Sequence, residues 1–275
     1  MRCFVLACKI YNFMIRYMWN NTKESMVFDV LRFIFVIAGD LHRVWMIPKM
    51  GYMSRHPEKY SEKVRYEYDR HCINIMKKRG RITTDAYGME NLPKEGGYMM
   101  FANHQGKYDA LGIMDSHDKP CSIVMDADRS YIPLVKQFID LVNGKRIKLN
   151  DIRQAAGIIK EVTNEVKQGR KFIIFPSGGY EHRNGNVVDT FKAGSFKSAM
   201  RAKAPIVPVA LVDSWKVFDL WSLRRVVTKV FYLKPLYYED YKDMKSVQVC
   251  ELVYNRICEA VRMAEEGRIE EAALK

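Results

Sequence analysis

Residues 152–179 read IRQAAGIIKEVTNEVKQGRKFIIFPSGG, and they decide the fold class. Apolar side chains fall at Ile152, Ala155, Ala156, Ile159, Val162 and Val166, the spacing of an amphipathic helix, with Asn150 or Asp151 placed to cap it and Gly169 to stop it. The chain then turns directly into Phe172-Ile173-Ile174-Phe175, a continuous apolar run of the kind a strand shows when both its faces are covered. A helix that feeds straight into a doubly covered strand is the working unit of an α/β protein.

Similar runs extend the pattern in both directions: Tyr98 to Ala102, Ser122 to Met125, Ile206 to Val212 and Val227 to Leu233 alternate with helical patterns, and residues 242–265 read as a closing amphipathic helix. The expectation is an α/β fold over residues 86–275, with a mixed, mostly parallel central sheet flanked by helices. Residues 46–85, charged and helix-prone up to Arg79-Gly80-Arg81, read as a helical linker. Residues 1–45 read as a two-helix membrane-docking segment. Arg2, Lys9 and Arg16 recur every seven residues and fall on one stripe of a helix, while Phe4, Tyr11, Phe13, Tyr17 and Trp19 cover much of the remainder. Lys9 interrupts any signal-peptide core, and Asp29 and Arg32 interrupt the second apolar run, so both runs suit the membrane interface better than a spanning position. Two packing helices on the domain surface fit the same pattern.

The chain has 275 residues, 48% of them hydrophobic, enough for a substantial core. Its 45 Lys and Arg against 32 Asp and Glu give a net charge of +13, which calls for an anionic partner: phospholipid, an acidic carrier protein or nucleic acid. The six cysteines (Cys3, Cys8, Cys72, Cys121, Cys250, Cys258) contain no CxxC pair, so neither a zinc cage nor a redox dithiol is suggested.

The chemistry-bearing stretch is Asn103 to Asp109, NHQGKYD, directly after the Tyr98 to Ala102 run. Positions five apart lie about 140° from each other around a helix, so His104 and Asp109 meet only at a helix entrance, the histidine before the helix and the aspartate in its first turn. In that arrangement the carboxylate holds the imidazole in one tautomer, and the pair is able to activate a hydroxyl for attack on an acyl carbonyl. The spacing by itself fits equally a loop histidine beside an ordinary N-terminal helix acid.

Four blocks in chain order resemble the glycerolipid acyltransferase family that includes 1-acylglycerol-3-phosphate acyltransferases. NHQGKYD matches its His-x4-Asp block; Phe175-Pro176-Ser177-Gly178-Gly179 resembles its Phe-Pro-Glu-Gly block; Ile206-Val207-Pro208-Val209-Ala210-Leu211 resembles its Val-Pro-Val strand; and Asn143 to Leu149 occupies the place of its Gly-led second block. The resemblance spans roughly Gly88 to Pro235, and the two N-terminal apolar segments resemble the docking helices of some bacterial members. It implies an enzyme that moves a fatty acyl chain from an acyl thioester, on acyl carrier protein or CoA, to a glycerol hydroxyl of a lysophospholipid, in the first instance 1-acylglycerol-3-phosphate. His104 is then the general base and Asp109 its orienting acid, with no metal or redox cofactor. The implied partners are a phospholipid surface, the lysophospholipid and the donor's carrier, without nucleic acid, and the implied location is the cytoplasmic face of the cell membrane, held peripherally or monotopically.

The departures from the family pattern concern the head group. Ser177 stands where glutamate is usual and Tyr180 where an arginine often follows, while the arginine of the second block is replaced by Leu149, with Arg146 and Lys148 nearby. Asn103, Lys107, Arg146, Lys148, Ser177, Gly178, Gly179, His182 and Arg183 are therefore the substrate-binding candidates, the last two as alternative sources of positive charge. The turn from Pro176 to Gly179 is also placed to aim backbone amides at an anion. Two rivals remain: another lysolipid as acceptor, and a different class of protein altogether. In the second class are a metal-dependent phosphohydrolase using His117-Asp118 with His104, Asp109 and His182, and a basic lipid- or nucleic-acid-binding module.

Overall fold

A computed structural model describes residues 31–132, 134–148, 151–180 and 184–275. The first 30 residues of the expected docking segment, together with His182 and Arg183, lie outside the described residues. The chain enters through α1 (Leu31–Gly39), α2 (Met46–Arg55) and α3 (Glu62–Gly80), then β1 (Ile82–Tyr87) and β2 (Met99–Ala102). There follow α4 (Asp109–Ser116), β3 (Ser122–Asp126), the single turn α5 (Ala127–Ser130), α6 (Val135–Leu141) and β4 (Lys145–Ile147). The remainder comprises α7 (Ile152–Lys167), β5 (Phe172–Ile174), α8 (Lys197–Ala202), β6 (Ile206–Val212), α9 (Lys216–Asp219), β7 (Val226–Tyr232), α10 (Tyr238–Tyr241), α11 (Ser246–Glu265) and α12 (Ile269–Ala273).

The strands form one sheet in the order β1-β7-β6-β2-β5-β3-β4. Only β6 and β7 run antiparallel; the other neighbours are parallel, as the expected mixed, mostly parallel sheet requires. Strand alternation sends Met99 and Phe101 of β2, with Ile206 and Ala210 of β6, into a core shared with α7, α8 and α11. Tyr98, Met100 and Ala102, with Val207, Val209 and Leu211, point the other way, into a core closed by α3 and α4. All seven residues of β6 are buried, which is why its sequence is unbroken in apolar character.

Two boundaries differ from the sequence expectation. Residues 46–85 are more than a linker: α3 lays Tyr66 and Ile73 into the second core, and α2 and α3 close a third cluster around Met50, Met53 and Cys72. The sheet also begins before residue 86, because Ile82–Tyr87 pairs along its whole length with β7.

β2 is central, and the parallel strands β2, β3, β4, β5 and β6 all end at one edge of the sheet. That edge, where the order reverses direction around β2, is where open α/β sheets collect ligands.

Candidate active site

β2 ends at Ala102 and α4 begins at Asp109, so His104 stands in the loop before the helix and Asp109 at the helix's first residue. This is the helix-entrance geometry that the five-residue spacing demands. His104 Nδ1 is 2.6 Å from Asp109 Oδ2, and the same oxygen accepts the backbone N–H groups of Gln105 and, at 2.9 Å, Gly106. The other oxygen, Oδ1, accepts the hydroxyl of Ser214. Asp109 is fully buried. Four donors converging on a carboxylate at a helix N-terminus keep it an acceptor, so the imidazole carries its proton on Nδ1 and presents Nε2 as a base.

The turn after β5 clasps the ring. Phe175 stacks on His104 with centroids 4.3 Å apart and planes 20° from parallel, and Tyr180 meets the imidazole edge-on at 4.5 Å. His104 retains 18% exposure of its side chain, enough for a substrate hydroxyl to reach it. Ser177 donates its hydroxyl to the carbonyl of Gly179 at 2.7 Å, and Gly178, at φ +79°, gives its N–H to the Phe175 carbonyl. These bonds close the turn internally, so the Gly178 amide is not available to an oxyanion. A Cβ at Gly179 meets nothing within 4 Å, so the space beside the turn is open.

Several expected substrate contacts have other work. Asn103 is fully buried; its amide donates to the Leu211 carbonyl at 3.0 Å and accepts the Leu211 N–H at 2.7 Å, sewing the end of β2 to β6. Arg146 is tied to Asp140 at 2.6 Å and to the Ser130 hydroxyl at 2.9 Å, with its guanidinium 4.8 Å from the Tyr131 ring. Lys107 and Lys148 are exposed, the one in the loop before α4 and the other just past β4. His117 is separated from His104 by the length of α4, about 12 Å of helix. It is buried, with Nδ1 donating to the Lys119 carbonyl and Nε2 accepting the Tyr98 hydroxyl, both at 2.6 Å, so both ring nitrogens are committed and the phosphohydrolase grouping with His104 does not form. Among the described residues no three His, Cys, Asp or Glu side chains are grouped to hold a metal.

Other groups join the site from a distance in sequence. Gln105 accepts the Ser214 N–H and donates to Asn186, and Asn186 in turn bonds Asp213 after β6. Arg129, on the turn of helix after β3, holds its guanidinium 5.8 Å from the Tyr180 ring, on the same side of the imidazole as the third block. Its neighbours give one clue in the sequence: it follows directly on a strand-like run that ends at the same sheet edge.

The family model described as Acyltransferase matches residues 83–212, a range that runs from β1 to the end of β6 and includes His104, Asp109, Phe175 and Tyr180. The 1-acyl-sn-glycerol-3-phosphate acyltransferase of Escherichia coli is 30% identical over 147 residues, 53% of this chain and 59% of that protein. The enzyme of the same description from Saccharomyces cerevisiae is 22% identical over 194 residues, 69% of this chain and 63% of that one. The chain thus spans less than two thirds of the length of these curated relatives. The crystal structure of the 1-acyl-sn-glycerophosphate (LPA) acyltransferase PlsC from Thermotoga maritima superposes with a TM-score of 0.65 at 19% identity, over 88% of this chain and 96% of that one, and so shares the fold.

Proposed function

Since the chain belongs to the glycerolipid acyltransferase family, we propose that it transfers a fatty acyl group from an acyl thioester to the free glycerol hydroxyl of 1-acylglycerol-3-phosphate. The observation that carries this reading is the His104–Asp109 pair at the carboxyl edge of the sheet, with Nδ1 bound to the carboxylate at 2.6 Å and the imidazole clasped by Phe175 and Tyr180. His104 Nε2 takes the hydroxyl proton as the oxygen attacks the thioester carbonyl. The tetrahedral carbon then expels the thiolate, the C–S bond breaks, and the proton on Nε2 passes to sulfur. Asp109 stabilises the transient imidazolium without accepting its proton. No acyl-enzyme is required, because acceptor and donor react directly.

Arg129 takes the place left by the missing family arginines. It is exposed, approaches Tyr180 rather than a carboxylate, and has no ion-pair partner among the described residues, so its guanidinium is open to the acceptor's phosphate. A membrane surface is the natural source of such an acceptor. Phe35 and Trp45 are exposed on and after α1, beside the cations Lys49, Lys78 and Arg81 in a groove of about 710 Å3, a combination suited to peripheral contact with anionic lipid. Among the described residues no helix is long and apolar enough to cross a membrane.

His104→Ala tests the reading. Purified variant and wild type are given labelled acyl-CoA or acyl carrier protein thioester with lysophosphatidate, and circular dichroism verifies that both are folded. The variant loses essentially all transfer; retention of wild-type turnover rejects the assignment.

A further inference from the structure

Asp109 is held by groups that are themselves held. Two of its donors, the Gln105 backbone N–H and the Ser214 hydroxyl, belong to residues joined to each other, because Gln105 Oε1 accepts the Ser214 N–H at 3.0 Å. Gln105 Nε2 donates in turn to Asn186 Oδ1, also at 3.0 Å. That same Oδ1 accepts the Asp213 N–H at 2.8 Å, while Asn186 Nδ2 donates to Asp213 Oδ1 at 3.2 Å and to Oε1 of Glu265, at the end of α11, at 3.0 Å. A carboxamide has two acceptor sites and two donor hydrogens, so Asn186, only half-buried, makes every hydrogen bond its side chain is capable of.

The direction of this chain of bonds is fixed from both ends. The backbone N–H groups of Asp213 and Ser214 only donate, so the atom of Asn186 that faces the first and the atom of Gln105 that faces the second must be oxygen. With those oxygens placed, the Gln105 nitrogen meets the Asn186 oxygen and the Asn186 nitrogen meets two carboxylates. No other orientation of either amide pairs every atom, and rotating one member unpairs the next.

Asn186 also closes a circuit around the imidazole. The segment that follows β5 passes His104 first, with Phe175 stacked on the ring and Tyr180 against its edge. Gly185, at φ +67°, turns the chain, and Asn186 then fastens it to Gln105, the residue next to His104. One side chain thus joins the loop between β2 and α4, the end of β6 and the segment after β5. With its four bonds used, its amide has none left for a substrate, so its part in the reaction is one of position.

We propose that Asn186 is a positioning residue for acyl transfer: through Gln105 it fixes the His104 loop against Asp109 and sets the angle at which Nε2 meets the acceptor hydroxyl. The inference rests on the acyl-transfer reading above and adds to it a residue from outside the stretch that carries His104 and Asp109.

The test compares Asn186→Ala, Gln105→Ala and the double variant in the full chain by steady-state kinetics and proton NMR. The Nδ1–H of His104, bonded to Asp109, gives a downfield resonance that is assigned by its absence from His104→Ala. We expect Asn186→Ala to lower kcat roughly five- to tenfold at unchanged KM for both substrates, and to broaden that resonance or move it upfield as the loop loosens. The double variant is no slower than Gln105→Ala, because the one residue acts through the other. Wild-type kcat or an unmoved resonance in Asn186→Ala, a raised KM at unchanged kcat, or losses that multiply in the double variant overturn the proposal. If circular dichroism finds Asn186→Ala unfolded, Asn186→Ser, whose side chain is too short to span Gln105 and Asp213 together, takes its place with the same expectations. If the wild type transfers no acyl group, the resonance still decides whether Asn186 positions the pair, and only the acyl-transfer reading fails.

Discussion

The hydroxyl of Ser214 donates to Asp109 Oδ1, the one carboxylate oxygen that His104 and the loop amides leave over. The two residues are 105 positions apart in a chain whose β6 returns beside β2, so the serine arrives only with the folded sheet. With it in place, a buried carboxylate has both oxygens engaged and cannot rotate away from the imidazole. Ser214→Ala leaves Oδ1 unpaired, a cost of about 1–3 kcal/mol. If about half of that appears in the barrier, kcat falls roughly two- to tenfold with KM for both substrates unchanged. Ser214→Thr, which keeps the hydroxyl, restores most of the rate. Steady-state kinetics that show no change in kcat for the alanine variant remove Ser214 from the network.

Asn103 presents a different expectation, because its two bonds to Leu211 are structural. Asn103→Ala strands a buried N–H and a buried carbonyl of β6 next to the His104 loop. We expect a loss of about 2–4 kcal/mol in urea unfolding and a lower Tm. KM for the acceptor stays near wild type in the fraction that remains folded. A raised KM at unchanged stability reverses this assignment and returns Asn103 to substrate binding.

What was legible in the sequence follows from where each residue makes its contacts. β2, β5 and β6 are flanked by strands and covered on both faces, so burial is written into them as unbroken apolar runs. β1 is an outer strand with β7 as its one neighbour, and backbone pairing needs no apolar side chain; with Thr83, Thr84 and Asp85 it shows no apolar run, and most of it fell within the expected helical linker. β4 sits at the other end of the sheet, where Lys145 is buried by ion pairs with Glu161 and Glu165, not by hydrophobic contact. The same distinction holds at the site. His104 and Asp109 are joined within one loop and could be read from spacing. Ser214 meets the pair only through a tertiary contact with Asp109, and no local pattern marks it.

His117, discarded as a metal ligand, makes a stability prediction. Burial is the main force holding its imidazolium down, and the group titrates at about 4 in place of the ordinary value near 6.5. Between those two pH values the unfolded chain binds the proton and the folded chain does not. Stability is therefore fully present above pH 6.5 and declines as pH falls toward about 4, by about 3 kcal/mol from this group. An imidazole NMR titration should find His117 still neutral at pH 5. A His117 resonance that titrates near 6.5 contradicts the buried, doubly bonded ring.

Arg129 carries the last prediction, because it separates head-group recognition from chemistry. Its guanidinium stands 5.8 Å from Tyr180, and Tyr180 stands 4.5 Å from His104, so a phosphate bound there holds the glycerol hydroxyl toward Nε2 without touching the proton transfer. Arg129→Ala removes a charge-assisted fork contact, which amounts to about 1.5–3 kcal/mol in binding. KM for lysophosphatidate therefore rises by roughly ten- to a hundredfold while kcat at saturation changes little. Arg129→Lys recovers only part of the loss, because a single ammonium cannot grip two phosphate oxygens. The control is a neutral acceptor: monoacylglycerol has nothing to give the arginine, so its kcat/KM is the same in wild type and variant. If the alanine variant weakens both acceptors equally, Arg129 shapes the pocket and the phosphate is held by another group.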